Sequence, residues 1–146
     1  MITGASAGVG LETAKLFSRS GADGLVFVDM SPNGAEVAEA LNKERPGTAV
    51  FVQADVSSSS DMDGVISKGE SEFGKVNVLF NNAGVMLGGD DKAHTTSDEV
   101  WDKTMDVNVK GVFYGCKFGI PALQRAGGGS VINVASFVAK MGACAP

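Results

Sequence analysis

The sequence predicts an α/β fold, a doubly wound parallel sheet with helices on both faces, and three observations predict it. Short runs that are apolar throughout, such as Leu25-Val26-Phe27-Val28, alternate with longer stretches whose apolar residues recur at helical spacing. A strand without a polar face is buried on both sides, which is the condition of a parallel sheet covered by helices. Glycine and proline gather at the ends of these segments and so punctuate them. A polar residue closes run after run: Asp29, Asp55, Asn81-Asn82 and Ser136. Right-handed crossovers put those ends on one edge of the sheet, where doubly wound folds bind ligands. The repeated polar ends therefore mark a site and not a core.

Met1 and Ile2 form only a stub of the first strand, ahead of Thr3 and a glycine-rich loop. Such a stub in a central position weakens pairing on both sides. Residues 11–20 carry Leu11, Ala14 and Phe17 near helical spacing, and Gly21 is the stop. The run from Leu25 ends at Asp29. Ser31 as N-cap and Pro32 at the first helical position open the next helix. Val37, Ala38 and Leu41 give that helix its buried face, and Pro46-Gly47 end it. Residues 49–54 are a strand ending at Asp55, and residues 57–60 lead into a helix carrying Met62, Val65, Ile66 and Phe73. Residues 76–80 are a strand that runs into Asn81-Asn82-Ala83-Gly84, followed by a loop over 85–95 in which His94 is solvated. Thr96-x-x-Glu99 is a capping box for a long helical stretch that breaks near Val107-Asn108 and continues to about Leu123. Trp101 packs near its start, and Val112, Phe113 and Phe118 form a packing face. Gly127-Gly128-Gly129 turns the chain into a last strand over 130–135.

Composition narrows the functional classes. At 146 residues the chain is a single domain, 1–146, able to bury a core. The net charge of −5 and pI near 4.7 argue against nucleic acid or an anionic membrane as partner, since both need a basic face. No apolar run approaches the ~20 residues of a membrane span, and no basic flank precedes an apolar stretch as in a secretory signal. Cys116 and Cys144 are isolated thiols, which suits a reduced, cytoplasmic protein. With His94 as the one histidine, no metal site is expected.

The chain opens MITGASAGVG. Gly4-x-Ser6-x-Gly8 matches the nucleophile elbow of an esterase, while Thr3-Gly4 with Gly8 and Gly10 matches a loop that wraps a pyrophosphate. The elbow needs an amide from an earlier strand–helix loop for its oxyanion hole, and Ser6 has none before it. A kinase-type P-loop needs a following Gly-Lys-Ser/Thr, which is missing here. The dinucleotide reading is better supported. Small residues at Gly4, Gly8 and Gly10 let backbone amides approach a pyrophosphate, and the helix N-terminus adds a favourable dipole. Asp29 follows Gly10 by 19 residues, close to the ~20 expected of a ribose-binding acid. Its carboxylate would accept from ribose hydroxyls and repel a 2′-phosphate. Neither Ala7 nor Met30 offers a compensating cation. The expected cofactor is NAD, with NADP disfavoured.

The chain resembles the short-chain dehydrogenase/reductase family. The resemblance rests on Thr3-Gly4-Ala5-Ser6-Ala7-Gly8-Val9-Gly10, Asp55-Val56, Asn81-Asn82-Ala83-Gly84, Asn108 within Asp106-Val107-Asn108-Val109, and Ser136 closing Val131-Ile132-Asn133-Val134-Ala135-Ser136. These occur in family order and spacing and cover the whole chain. The resemblance implies a Rossmann-type sheet, here incomplete at both ends. It implies cofactor contacts from Gly4, Ser6, Gly8, Val9, Gly10 and Asp29. Asp55 would accept from the adenine amino group, with the Val56 backbone holding the ring. Asn82, Ala83 and Gly84 would lie beside the adenosine ribose. Asn108 would help position a lysine through a water relay, and Ser136 would hydrogen-bond the substrate oxygen.

The family's Tyr-x-x-x-Lys pair, about a dozen residues beyond the serine, is not in the sequence, which reaches Pro146 ten residues after Ser136. Tyr114-x-x-Lys117 has the wrong spacing and precedes Ser136. A phenol with a pKa near 10 needs a nearby cation to exchange protons at neutral pH. The expectation is a piece of an NAD-dependent oxidoreductase roughly 100 residues longer. That parent acts on a small carbonyl or alcohol substrate and is a homo-oligomer at full length. The alternative is a truncated dinucleotide-binding or interaction fragment without turnover, with exposed sheet edges.

Overall fold

The computed structural model describes residues 1–138, so Cys144 lies outside the described residues. The strands are β1 (Ile2–Thr3), β2 (Leu25–Asp29), β3 (Ala49–Gln53), β4 (Val78–Asn81) and β5 (Ser130–Asn133). The α-helices are α1 (Gly8–Arg19), α2 (Gly34–Glu44), α3 (Ser59–Phe73), α4 (Asp98–Met105) and α5 (Gly111–Arg125), with a π-helical segment, Asp106–Lys110, joining the last two. All strand pairs are parallel, in the order β3-β2-β1-β4-β5. The doubly wound sheet is as expected, and its order reverses between β1 and β4.

Alternation along β2 divides the core in two. Leu25 and Phe27 pack with Ile2, Ala14, Ala38, Leu41 and Phe80 beneath α1 and α2. Val26 and Val28 pack with Met62, Val65, Ile66, Leu79, Ala122 and Leu123 beneath α3 and α5. Short as it is, β1 pairs on both sides, Ile2 with Phe27 and Phe80, and Thr3 with Val28. The Met1 α-amino group donates to the Val78 carbonyl at 2.8 Å, and burial lowers its pKa to about 5.

Local chemistry moves several boundaries. Helix α1 starts at Gly8, three residues ahead of the expected 11–20 stretch. Helix α2 starts at Gly34, not at Pro32. The Ser31 amide is taken by Asp29 Oδ1, and two successive turns, Gly34 to Ser31 and Ala35 to Pro32, precede the helix. Helix α4 is capped by Ser97, whose hydroxyl accepts from the Val100 amide, and not by Thr96. The Thr96 hydroxyl accepts from the Asp91 amide and donates to the Lys92 carbonyl instead. Strand β4 begins at Val78 and extends to Asn81, and β5 ends at Asn133 although Val134 still donates to the Asn81 carbonyl. The helical break near Val107-Asn108 is the π-helical segment.

Of the expected packing face on α5, Phe118 packs against the core and Val112 is half-buried, but Phe113 does not pack. The buried stripe of the helix is Gly111, Gly115 and Gly119, spaced four apart, with Ala122 and Leu123. A Cβ at Gly115 would lie 2.2 Å from Asn81 Oδ1, and one at Gly119 2.2 Å from a Leu79 methyl. The helix rests on the sheet by its glycines, and Phe113 faces outward with 57% exposure. Trp101, expected to pack, is 60% exposed. His94 is exposed in its loop, as expected.

Candidate functional site

A crevice of about 400 Å³ opens at the carboxyl ends of the strands, where their order reverses. Gly4, Ala7, Gly8, Asp29, Val56 and Asn82-Ala83-Gly84 are among its walls, so four separated stretches of sequence meet in one place. Loop geometry explains the glycines individually. Gly4 has φ +65°, and a Cβ there would stand 2.9 Å from the Ala83 Cα. Gly8 has φ +54° with open space beside it. Left-handed backbone of this kind is cheap for glycine alone. Gly10 serves a different purpose from the one expected. It is turned inward, and a Cβ would stand 2.1 Å from the Gly4 carbonyl oxygen. It lets α1 pack on the loop and does not open a path for a ligand.

Thr3 and Asn82 lock the loop in place. The Thr3 hydroxyl accepts from the amides of Asn82 and Ala83, both at 3.0 Å. The Asn82 side-chain amide donates to the carbonyls of Thr3 and Gly4, at 3.0 and 3.2 Å. The ends of β1 and β4 are thus tied across the switch point. Thr3 stood in the motif, but its clamping role was hidden, because its partners lie about 80 residues away.

Asp29 is held from two sides. Oδ2 accepts from the Ser6 amide and Oδ1 from the Ser31 amide, each at 2.9 Å. A carboxylate has about four acceptor sites, so roughly two stay free for a ligand's hydroxyls. Ser6 contributes its backbone here. Its hydroxyl is buried without a hydrogen-bond partner and faces α2, where it lies 2.8 Å from a Cβ built on Gly34. Val9, in the first turn of α1, is 65% exposed. No side chain caps that helix, since Ala7 stands at the N-cap. Its first-turn amides therefore have no intrahelical acceptor, whereas Ser58 supplies one for α3.

Asp55 lies between two crevice-lining residues, Ala54 and Val56. Its Oδ1 accepts from the Ser57 amide at 2.8 Å and hydroxyl at 2.6 Å. Its Oδ2 stands 3.6 Å from the Lys103 ammonium. Desolvation raises the Asp55 carboxyl, but the two Ser57 hydrogen bonds and Lys103 outweigh it and hold the group below the usual carboxylate range. Lys103 itself lines the crevice. Motif reading missed it because nothing in the sequence around α4 ties it to Asp55.

Asn108 and Ser136 are not among the crevice walls. In the π-helical segment, Asn108 grips Val85 twice: Oδ1 accepts from its amide at 2.8 Å, and Nδ2 donates to its carbonyl at 2.9 Å. Asn108 therefore anchors the loop that follows Gly84. Ser136 is exposed beyond β5, and its hydroxyl accepts from the Val138 amide at 3.4 Å. Cys116 is a free, half-buried thiol. Among the described residues no cluster of three or more His, Cys, Asp or Glu could hold a metal ion, and no helix is long and apolar enough to cross a membrane.

These features suit a dinucleotide: a backbone cradle that side chains would fill, uncapped helix amides and a fixed carboxylate with acceptor capacity to spare. The chain is similar to several dehydrogenases. It is 38% identical over 136 residues to a 3-beta-hydroxysteroid dehydrogenase of Comamonas testosteroni, which covers 93% of this chain and 51% of that protein. It is 33% identical over 136 residues to an NAD-dependent glycerol dehydrogenase of Listeria innocua, again covering 93% of this chain and 51% of the relative. Its fold superposes with a TM-score of 0.87 on a crystal structure from Brucella melitensis described as a short-chain dehydrogenase/reductase, glucose/ribitol dehydrogenase. That match has 31% identity and covers 98% of this chain and 58% of the other. The chain thus spans about half the length of the relatives it matches. The family model described as short chain dehydrogenase matches residues 1–145, and the chain belongs to that family.

Proposed function

We propose that the chain is the nucleotide-binding half of an NAD-dependent oxidoreductase acting on a small carbonyl or alcohol. The observation that carries the proposal is the shared crevice of Gly4, Gly8, Asp29, Val56 and Asn82-Ala83-Gly84. A nicotinamide dinucleotide bound there would supply hydride transfer chemistry. The chain's own part is to bind and orient: amides of the glycine loop and of α1 toward phosphate, and Asp29 toward the ribose hydroxyls. The fixed Asp29 carboxylate, with Ala7 and Met30 as its crevice neighbours, favours NAD over NADP.

Calorimetric titration with NADH and NADPH tests this directly. Tighter binding of NADH is expected, and equal affinities refute the cofactor assignment. Asp29→Ala should weaken NADH by about tenfold or more and shrink its advantage over NADPH, since hydrogen bonds to a charged group are lost.

The second reading, binding without turnover, is favoured by the environment of Tyr114. The sole tyrosine lies between Phe113 and Phe118 on α5, its ring tilted to both and packed against the core, and is not a crevice residue. Dehydrogenase assays of the 146-residue chain over a panel of alcohols separate the two readings, and turnover rejects the second. Self-association belongs to the same proposal. Trp101, Met105, Val109 and Phe113 are exposed apolar residues spaced four apart along α4, the π-helical segment and α5. A row of this kind suits a contact between copies.

A further inference from the structure

Lys103 is the one cationic side chain among the crevice walls formed by the described residues, and its position bears on which base the crevice accepts. This inference rests on the dinucleotide reading above. The walls around Lys103 include Ala54, Val56, Ala83 and Val107, which form an apolar slot suited to a flat heteroaromatic ring. Lys103 lines that slot as a donor, and the Asp55 carboxylate, between the lining residues Ala54 and Val56, stands beside its ammonium as an acceptor. Asp55 Oδ1 is already used by the two Ser57 bonds, whereas Oδ2 accepts no hydrogen bond among the described residues and stands 3.6 Å from Lys103. That separation is an ion-pair distance and is longer than a hydrogen bond. Both groups are thus available to a ligand's polar edge.

A purine with an amino group at position 6 donates to Asp55 Oδ2. A purine with a 6-oxo group presents an acceptor instead, which a carboxylate alone repels and an ammonium welcomes. The Lys103 side chain is 44% exposed on a flexible four-carbon stem, so its Nζ can swing from Asp55 to such an oxygen without disturbing the fold. We infer that Lys103 is a specificity-determining residue that widens the base subsite from 6-aminopurine to 6-oxopurine dinucleotides, because it sets a mobile donor beside the acceptor of Asp55.

The test compares dissociation constants of the 146-residue chain for NADH and for reduced nicotinamide hypoxanthine dinucleotide, read by nicotinamide fluorescence. Lys103→Met should raise the ratio of the hypoxanthine to the adenine constant by about three- to tenfold, the range for an exposed charge-assisted hydrogen bond. Lys103→Arg keeps a donor and should hold the ratio within about twofold of the unmodified chain. A ratio that Lys103→Met leaves unchanged overturns the inference while sparing the dinucleotide crevice. Failure of the unmodified chain to bind NADH overturns both.

Discussion

The two edges of the sheet are built differently. Strand β3 pairs with β2 over five registered positions and lies between helices, so that only Gln53 at its end is fully exposed. Strand β5 pairs with β4 over four positions, yet all its residues are exposed, including Val131 and Ile132 at 37% and 43%. The proposed functional residues divide along the same line. Gly4, Gly8, Asp29, Val56 and Asn82 share a walled crevice at the switch point. Ser136 lies in solvent past an uncovered strand. The crevice is thus walled largely by residues of β1 to β4 and the loops that follow them, whereas Ser136 stands apart from it. An apolar edge left open in this way also invites pairing with other chains.

The largest test of this contrast is Gly10→Ala at the switch point. The new methyl must displace the Gly4 carbonyl and the Asn82 amide, at 2.1 and 2.7 Å. A loss of about 2–4 kcal/mol in urea unfolding is expected, together with loss of NADH binding. Retention of both would mean that the loop is far looser than its hydrogen bonds imply.

Acid comes next. Asp61 Oδ2 accepts from the Asp55 amide, and Oδ1 accepts from the Ser58 hydroxyl. These bonds, the Asp55 amide first, lower the Asp61 carboxyl, and Asp55 is lowered as well. Carboxyls depressed in the folded state take up protons first in the unfolded chain. Their stabilisation is present above the ordinary carboxyl value near 4 and is lost as pH falls below it. Thermal melts between pH 5 and 2.5 should show this decline, and Asp61→Asn should flatten it. An equal decline in the variant would assign the acid sensitivity elsewhere.

On the open edge, Ile132→Lys should reduce self-association in sedimentation while changing stability by no more than about 0.5 kcal/mol. Unchanged association would direct attention from the β5 edge to the apolar row on α4 and α5. The smallest effect is expected at Gly64, inside α3 with open space around it. Gly64→Ala should stabilise the chain by about 0.5–1 kcal/mol in the same unfolding assay, through helix propensity alone.

Much of this architecture is legible in the sequence. Strands buried on both faces must be apolar throughout, glycine and proline must stand where the backbone turns, and polar residues gather where strands end at a site. Those rules are local, so the sequence determined the order of elements, the doubly wound parallel sheet and the positions of Asp29, Asp55 and Asn82 at strand ends. Tertiary structure alone decided which way side chains face and what they meet. It turned Gly10 inward and the Ser6 hydroxyl toward α2, seated α5 on Gly111, Gly115 and Gly119 with Phe113 outward, and brought Lys103 beside Asp55. Such contacts join residues tens of positions apart, and their energies depend on packing distances that no local spacing encodes.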